Sequence, residues 1–228
     1  MKRSEINALI REFRAALDGI CFRLPPFCDI PAAEWKNLGP EYNEIRDRML
    51  GWDITDFGSG DFKKTGLQLV TIRNGKLGDP ESKTYAEKIM LVRKNQVTPL
   101  HFHWSKMEDI INRGGGDLEI TVYNSLPDGE LDRENDVHLT LDGKRVSVPA
   151  GGKVVLTPGT SITLMPGQYH QWIGIPGTGP VMLFEVSSTN DDTVDNRFYD
   201  AQSRIPEIEE DEPAEYLIFN DYKNYVKF

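Results

Sequence analysis

The chain begins with a stretch of helical periodicity. Between residues 4 and 18, apolar residues recur at spacings of three and four with charged residues between them, which is typical of an amphipathic helix. The apolar positions are Ile6, Leu9, Ile10, Phe13, Ala16 and Leu17. The pattern suggests two shorter helical pieces after this helix, at 30–35 and 42–50. The pattern therefore predicts a helical N-terminal extension over residues 1–50.

From residue 51 onward the period of the pattern changes to two. Short runs of alternating or continuous apolar residues are separated by turn-forming residues such as Arg73-Asn74-Gly75 and Leu141-Asp142-Gly143. Many short strands with turn chemistry between them indicate a sandwich or a barrel. We predict an all-β fold in one domain, 1–228, with the barrel over 51–190 and a C-terminal segment, 191–228, packing on it.

Composition and charge restrict the range of partners. Apolar residues make up 39% of the chain and charged residues 27%, as in globular proteins. The formal net charge of −10 argues against binding to nucleic acid or to an anionic membrane surface. No apolar run reaches the roughly 18 residues of a membrane span. Charged residues near the N-terminus interrupt any apolar run there, which argues against a signal peptide. We expect a cytoplasmic protein that binds a small molecule.

Three of the four histidines fall in two short blocks. His101, His103 and Glu108 belong to the first block, and His170 follows a Pro-Gly corner in the second. Alternation along a strand places His101 and His103 on the same face, and Glu108 follows a short turn. Three imidazoles and one carboxylate predict a divalent metal site; the alternative is that they are ordinary buried residues. The fourth histidine, His138, lies in an alternating strand and is expected at the surface.

The spacing of these blocks, HxHxxxxE followed by PGxxH, resembles the two signature motifs of the cupins. That resemblance implies a small antiparallel β-barrel, the double-stranded β-helix of the jelly-roll type, with a metal in its mouth. A ligand set of nitrogen and oxygen without thiolate suits Mn²⁺, Fe²⁺, Co²⁺ or Zn²⁺, and the ligands alone do not choose among them.

Four further sequence blocks make the resemblance more specific, from the cupins in general to one family. They lie at 51–62, 190–192, 195–198 and 204–213, and together with the metal motifs they are similar to the D-lyxose isomerases. The resemblance implies metal-dependent interconversion of D-lyxose and D-xylulose, and of D-mannose and D-fructose, usually with Mn²⁺. It also implies the ligands, which carry over to His101, His103, Glu108 and His170.

Aldose–ketose isomerisation needs a base that moves a proton between C2 and C1. Glu185 lies in the apolar run 181–186, where an ionised carboxylate is costly unless it is paired or used, so it is our candidate base. Lys106 lies inside the first metal block and is either a second catalytic group, which positions a sugar oxygen, or a solvated turn lysine.

Other polar residues are candidates for binding the sugar. Lys88 opens the apolar run 89–92 and either points into the barrel or caps its rim. We expect Asp192, Arg197 and Glu207, or alternatively Glu209, to bind the hydroxyl groups of an open-chain sugar. Trp172, two residues after His170, either stacks on the sugar or fills the core.

The sequence leaves two alternative functions open. The first is a cupin dioxygenase that uses Fe²⁺, whose site would be mostly apolar. The second is a non-catalytic sugar-binding cupin. Exposed strand edges of such barrels are commonly covered by a partner or by terminal extensions, so we also predict a homodimer.

Overall fold

A computed structural model describes residues 1–225 of the chain. The N-terminal extension consists of helix α1, three short 3₁₀ turns and a short helix, α2. Their bounds are α1 Arg3–Gly19, the turns Pro26–Asp29, Ala32–Asn37 and Pro40–Tyr42, and α2 Asn43–Asp47. The described part of the chain ends with a 3₁₀ turn at Phe219–Asp221 and helix α3 at Tyr222–Tyr225.

Between these helical segments the described residues form fourteen strands. They are β1 Gly51–Thr55, β2 Leu67–Arg73, β3 Tyr85–Val92, β4 Val97–His103, β5 Glu108–Gly115, β6 Leu118–Ser125, β7 Leu131–Asp132, β8 Val137–Leu141, β9 Lys144–Val148, β10 Lys153–Leu156, β11 Ser161–Leu164, β12 Gln168–Gly174, β13 Val181–Ser188 and β14 Asn196–Phe198. Every pairing between these strands is antiparallel.

The strands form two sheets that share one core. The larger sheet has the order β1-β2-β3-β13-β5-β11-β8-β9, and the smaller has the order β10-β6-β12-β4-β14 with β7 beside β6. Apolar side chains from the inner faces of both sheets pack against each other, including those of Met90 and Ile110 from the larger sheet and Ile120 and Trp172 from the smaller. The predicted all-β barrel with an N-terminal helix is confirmed.

Helix α1 covers the outer face of the larger sheet. Its apolar side chains, among them Ile6, Ile10 and Phe13, pack against outward-facing residues of β1, β2, β3 and β13. These strands are therefore buried on both faces, which explains why their sequences read as nearly continuous apolar runs. On β13, Val181 and Leu183 join the inner core, so alternation directs Glu185 into the barrel as well.

The C-terminal segment packs along the barrel. Strand β14 pairs with β4, with Asn196 opposite His103 and Phe198 opposite His101. Ile218 forms a bridge to Trp52 on the outer strand β1. The last three residues of the segment predicted at 191–228 lie outside the described residues. Over the part of the chain that is described, no helix is both long and apolar enough to cross a membrane.

Candidate active site

Three histidines converge inside the barrel. His101 and His103 come from β4, and His170 lies opposite His101 on the neighbouring strand β12. All three are buried, and their ligating nitrogens lie within 4.8 Å of one another. The Nδ1 atoms of His101 and His170 lie 2.7 and 3.1 Å from the carbonyl oxygens of Pro99 and Gln168. These contacts favour a proton on Nδ1 and leave Nε2 of both rings free to bind a metal.

Glu108, at the start of β5, completes this group. Its Oε1 lies 3.1 Å from Nε2 of His170 and 3.4 Å from Nε2 of His103. Within residues 1–225, Oε1 of Glu108 and Nε2 of His170 are buried without a hydrogen-bond partner. Such orphaned atoms are rare in folded proteins, and here two of them meet at one point. The histidines can hold a metal ion, and the donor set of imidazole nitrogen and carboxylate oxygen fits a divalent cation.

A chain of alternating charges leads away from Glu108 across the barrel. Oε2 of Glu108 lies 2.6 Å from Nζ of Lys106, which lies 3.1 Å from Oε1 of Glu185. The same Oε1 lies 3.3 Å from Nζ of Lys88, which reaches Oδ2 of Asp192 at 3.0 Å. Glu185 is thus held between two lysines, so its burial in an apolar strand is compensated by direct ion contacts.

The chain of charges continues from Asp192 to Arg204, both in the C-terminal segment. Nη2 of Arg204 lies 3.5 Å from Oδ2 of Asp192, and the same guanidinium pairs with Asp53 on β1. We call the seven residues from Glu108 to Asp53 the ion-pair chain. It contains four carboxylates and three cations, and therefore has one net negative charge beside the histidines. That balance favours a bound cation.

The surroundings shift the pKa values of these groups toward the states that metal binding needs. Burial alone would raise the pKa of Glu108, but Lys106 and His103 hold it well below its ordinary value. Burial and the neighbouring His170 lower the pKa of His101, and burial and Lys106 lower that of His103. Near neutral pH the carboxylate of Glu108 is therefore ionised and the imidazoles of His101 and His103 are neutral, as metal ligands must be.

Asp192 and Lys106 are likewise charged near neutral pH. Burial would raise the pKa of Asp192, but Lys88, Lys106 and Arg204 hold it well below its ordinary value. Burial would lower the pKa of Lys106, but Glu108 and Glu185 raise it above its ordinary value. The pocket thus presents fixed charges of both signs to a ligand.

Asp195 fixes the loop that joins the first two ligand strands. Its Oδ1 accepts hydrogen bonds from the backbone N–H and the hydroxyl of Ser105, at 2.9 and 2.7 Å. Its Oδ2 accepts the backbone N–H of Lys106 at 3.1 Å and lies 4.0 Å from Nδ1 of His103. One buried carboxylate therefore holds the loop on which both Lys106 and the approach to Glu108 depend.

The pocket has a charged side and an apolar end. The charged side is lined by Asn196, by three of the four proposed metal ligands and by five other members of the ion-pair chain. These are His101, His103 and Glu108, and Lys106, Glu185, Lys88, Asp192 and Arg204. The apolar end is lined by Phe57, Leu67, Leu69, Met90, Thr98, Trp172 and Phe198. A small polar molecule with one less polar portion matches this division.

Most residues that the sequence predicts for the site meet in this pocket. They are His101, His103, Lys106, Glu108, Glu185, Lys88 and Asp192, with His170 in contact with Glu108. The surface position expected for His138 agrees with the structure, in which it is exposed on β8.

Arg197 and Glu207 do not line the pocket. On β14 the side chains of Asn196 and Phe198 face the pocket, so alternation turns Arg197 to the opposite side, where it lies 3.5 Å from Glu130. Glu207 is exposed, and its carbonyl oxygen accepts a hydrogen bond from the N-terminal ammonium of Met1 at 2.8 Å. The geometry gives neither residue a contact with a sugar in this pocket.

Four residues of the site were missing from the sequence-based predictions. They are Arg204 and Asp53 in the ion-pair chain, Asp195 behind the metal-site loop, and Asn196 in the pocket wall. Each lies within one of the flanking blocks that carry the resemblance. Membership of those blocks was the available signal, but it did not show which polar side chains point inward.

The family model and the curated relatives that match this chain agree on one family. The family model described as D-lyxose isomerase matches residues 1–222. The D-lyxose/D-mannose isomerase of Serratia proteamaculans is 44% identical over 228 residues, covering 99% of this chain and 100% of the relative. The enzyme of the same name from Escherichia coli O157:H7 is 44% identical over 227 residues, with 99% and 100% covered.

Solved structures support the fold. The L-ribose isomerase of Cellulomonas parahominis, solved with L-psicose, superposes with a TM-score of 0.61 at 14% identity and covers 92% of this chain and 98% of its own. A mutant of the L-ribose isomerase from Acinetobacter sp. DL28, solved with L-ribose, gives a TM-score of 0.62 at 16% identity with the same coverage. At these identities the likeness concerns the fold alone.

Proposed function

The chain belongs to the D-lyxose isomerase family, and from that membership we propose that it interconverts D-lyxose and D-xylulose, and D-mannose and D-fructose. One observation carries the proposal. Glu185 lies in the pocket between Lys106 and Lys88, at 3.1 and 3.3 Å, and Lys106 also contacts Glu108 beside the histidines. A carboxylate in the pocket close to a metal-ligand set is a group that can move a proton beside a carbonyl.

We propose Mn²⁺ as the metal, held by His101, His103, His170 and Glu108, with Fe²⁺, Co²⁺ or Zn²⁺ as alternatives. The orphaned Oε1 of Glu108 and Nε2 of His170 support this set. A divalent ion bound there supplies a positive charge that polarises the sugar carbonyl and stabilises the negative charge developing on its oxygens.

The proton is moved by Glu185 in this proposal. Its carboxylate takes the proton from C2 of the open-chain aldose and returns it to C1, while the proton of the C2 hydroxyl passes to O1, which yields the ketose. Lys106 holds that carboxylate in place and donates a hydrogen bond to a sugar oxygen. Because Lys106 also contacts Glu108, it fixes the distance between the base and the metal ligands.

The hydroxyl groups further along the sugar meet the charged side of the pocket. Asp192 is held by Lys88 and Arg204 and accepts a hydrogen bond from a hydroxyl group. Arg204 lines the pocket and donates to a sugar oxygen, in the role that the sequence assigned to Arg197. Charged donors and acceptors of this kind bind neutral polyols through directed hydrogen bonds.

An aldose panel with Mn²⁺-loaded protein tests the proposed function. D-lyxose and D-mannose should give D-xylulose and D-fructose, with activity lost on chelation and regained with Mn²⁺. D-xylose is the matched control, because it would give the same ketose as D-lyxose but carries its C2 hydrogen on the opposite face. A base fixed on one side should convert it far more slowly. Full metal occupancy with no ketose from any aldose would overturn the proposal.

The two alternative functions have less support. A dioxygenase for aromatic substrates would need a mostly apolar site, whereas one whole side of this pocket is charged. A non-catalytic sugar-binding protein would not need a base between two lysines beside an intact ligand set. Oxygen consumption by the iron-loaded protein would favour the first alternative.

We also propose a homodimer in the cytoplasm. Strand β1 at one edge of the larger sheet is covered by Ile218. Strand β9, Lys144–Val148, ends the other side of that sheet and pairs only with β8 among the described strands. An open edge of this kind is commonly covered by a second copy. The two unpaired cysteines, Cys21 and Cys28, agree with a reducing compartment. Sedimentation should show a species of twice 25.9 kDa.

A further inference from the structure

Thr98 and Trp172 lie opposite each other on the paired strands β4 and β12. Both side chains line the apolar end of the pocket, and both residues are almost fully buried, at 2% and 3% exposure. The Trp172 ring centroid lies 6.3 Å from that of His101 and 5.9 Å from that of His170. The pair is therefore adjacent to the metal-ligand group but outside it.

Both residues carry an unsatisfied polar atom. Neither the indole Nε1 of Trp172 nor the Oγ1 of Thr98 has a hydrogen-bond partner anywhere in the described chain. A buried polar group without a partner destabilises the folded protein. Phenylalanine or valine in these positions would fill similar volumes without that cost. Two orphaned groups on facing residues of one pocket point to a ligand that satisfies them.

The surroundings define the chemistry of that ligand. Phe57, Leu67, Leu69, Met90 and Phe198 line the same end of the pocket, and none of them carries a charge or a polar side-chain nitrogen or oxygen. The indole N–H only donates a hydrogen bond, while the threonine hydroxyl both donates and accepts. The matching group is a neutral hydroxyl on an apolar carbon, which accepts from the indole and exchanges a hydrogen bond with the threonine.

We propose that Trp172 and Thr98 form the subsite for the terminal CH₂OH group of the open-chain sugar. This inference rests on the proposed isomerase function. The carbonyl end of the substrate then lies at the ligand group and Glu185, while its terminal carbon packs among the apolar side chains. The subsite distinguishes sugars by the presence of the terminal hydroxyl, so it affects specificity without contacting the reacting carbons.

The subsite is tested by measuring wild type and two variants on two substrates, one of which lacks the terminal hydroxyl. Trp172→Phe and Thr98→Val are compared with wild type on D-lyxose and on 5-deoxy-D-lyxose, which lacks the terminal hydroxyl. On D-lyxose each variant should lose roughly tenfold or more in kcat/KM, since about 1.4 kcal/mol corresponds to a factor of ten. On 5-deoxy-D-lyxose the variants and wild type should be equally active. Metal content is measured in every sample.

Controls separate this contact from other effects. Thr98→Ser keeps the hydroxyl and should restore most of the activity, while Thr163→Val, on the outer groove beside His138, should match wild type. Equal losses on both substrates would overturn the subsite, since they would show a packing role or a bound water. If Trp172→Phe does not fold, the two Thr98 variants decide alone. Inactivity of metal-loaded wild type on every aldose would instead reject the proposed function.

Discussion

Lys88 lies directly opposite Glu185 on strands β3 and β13, with 3.3 Å between Nζ and Oε1. Both side chains point into the barrel because each shares a strand face with core residues. The pair belongs to the ion-pair chain and sits between Lys106 and Asp192. The pairing of β3 with β13 therefore creates the ion pair at the centre of the site. As a result the carboxylate of Glu185, on an apolar strand, contacts a lysine on each side.

Replacing Glu185 by Gln should lower turnover of D-lyxose by roughly a hundredfold or more, the scale of a lost general base. The amide keeps the shape of the side chain but cannot take a proton from C2. Glu87→Gln is the matched control, because Glu87 is a neighbour of Lys88 on β3 that pairs with Arg73 away from the pocket. Turnover is measured at equal Mn²⁺ occupancy. Near wild-type activity of Glu185→Gln would move the role to Lys106, Lys88 or another carboxylate.

Loss of one imidazole should remove the metal. His103→Ala is expected to purify with much less bound divalent metal than wild type, because the ligand group loses one of its three nitrogens. His138→Ala should retain the wild-type content, since His138 is exposed on β8. Elemental analysis of both variants after identical Mn²⁺ loading provides the measurement. Equal metal in the two proteins would exclude His103 as a ligand.

Asp195 should affect metal affinity through the loop between β4 and β5 that it holds. Asp195→Ala removes the acceptor for Ser105 and for the backbone N–H of Lys106, so the loop between two ligands loosens. We expect roughly a ten- to hundredfold loss in metal affinity, the usual effect of residues that support ligands. Asp191→Ala is the control, because the side chain of Asp191 bonds to Thr193 instead of to that loop. A competitive chelator titration measures the affinity, and equal affinity in both variants would refute the role.

Arg3 should be important for stability rather than for activity. Its buried guanidinium makes paired hydrogen bonds to Asp221 and to Glu210, which tie α1 to the C-terminal segment. Arg3→Met leaves Asp221 buried without its cation, so the free energy of unfolding should fall by about 3–5 kcal/mol. Arg11→Met breaks an exposed pair with Glu215 and should cost less than about 1 kcal/mol. Urea unfolding of both variants is the test, and equal losses would contradict it.

The metal-free protein should lose stability as the pH falls from about 7 to about 5.5. Burial lowers the pKa values of His101 and His103 in the folded state, whereas in the unfolded chain they titrate near 6.5. Below that pH the unfolded chain binds protons that the folded chain does not, so acid favours unfolding. Urea unfolding at three pH values should show the slope. A double variant, His101→Gln with His103→Gln, should have a shallower slope, and an unchanged slope would contradict this assignment.

Several features of the fold follow from local patterns. The apolar spacing of residues 4–18 predicted α1, and the change to period two after residue 51 predicted the barrel strands. The spacing of His101, His103 and Glu108, followed by His170, predicted a shared site because alternation along strands fixes which side chains point the same way. The flanking blocks then indicated the family that the comparisons confirm.

The sequence by itself thus determined the elements, the inward face of each ligand strand and the family, because these depend on short-range periodicity and on motifs a few residues long. Only the tertiary structure decided which distant charges meet. Arg204 reaches Asp53 across 151 positions and contacts Asp192, whereas Arg197, closer in sequence to the site, turns away on β14. Strand order, which a pattern of alternation does not contain, brings Lys88 and Glu185 together and leaves Trp172 and Thr98 facing the same pocket. Contacts of this kind depend on how the two sheets pair and close, and no local spacing encodes that pairing.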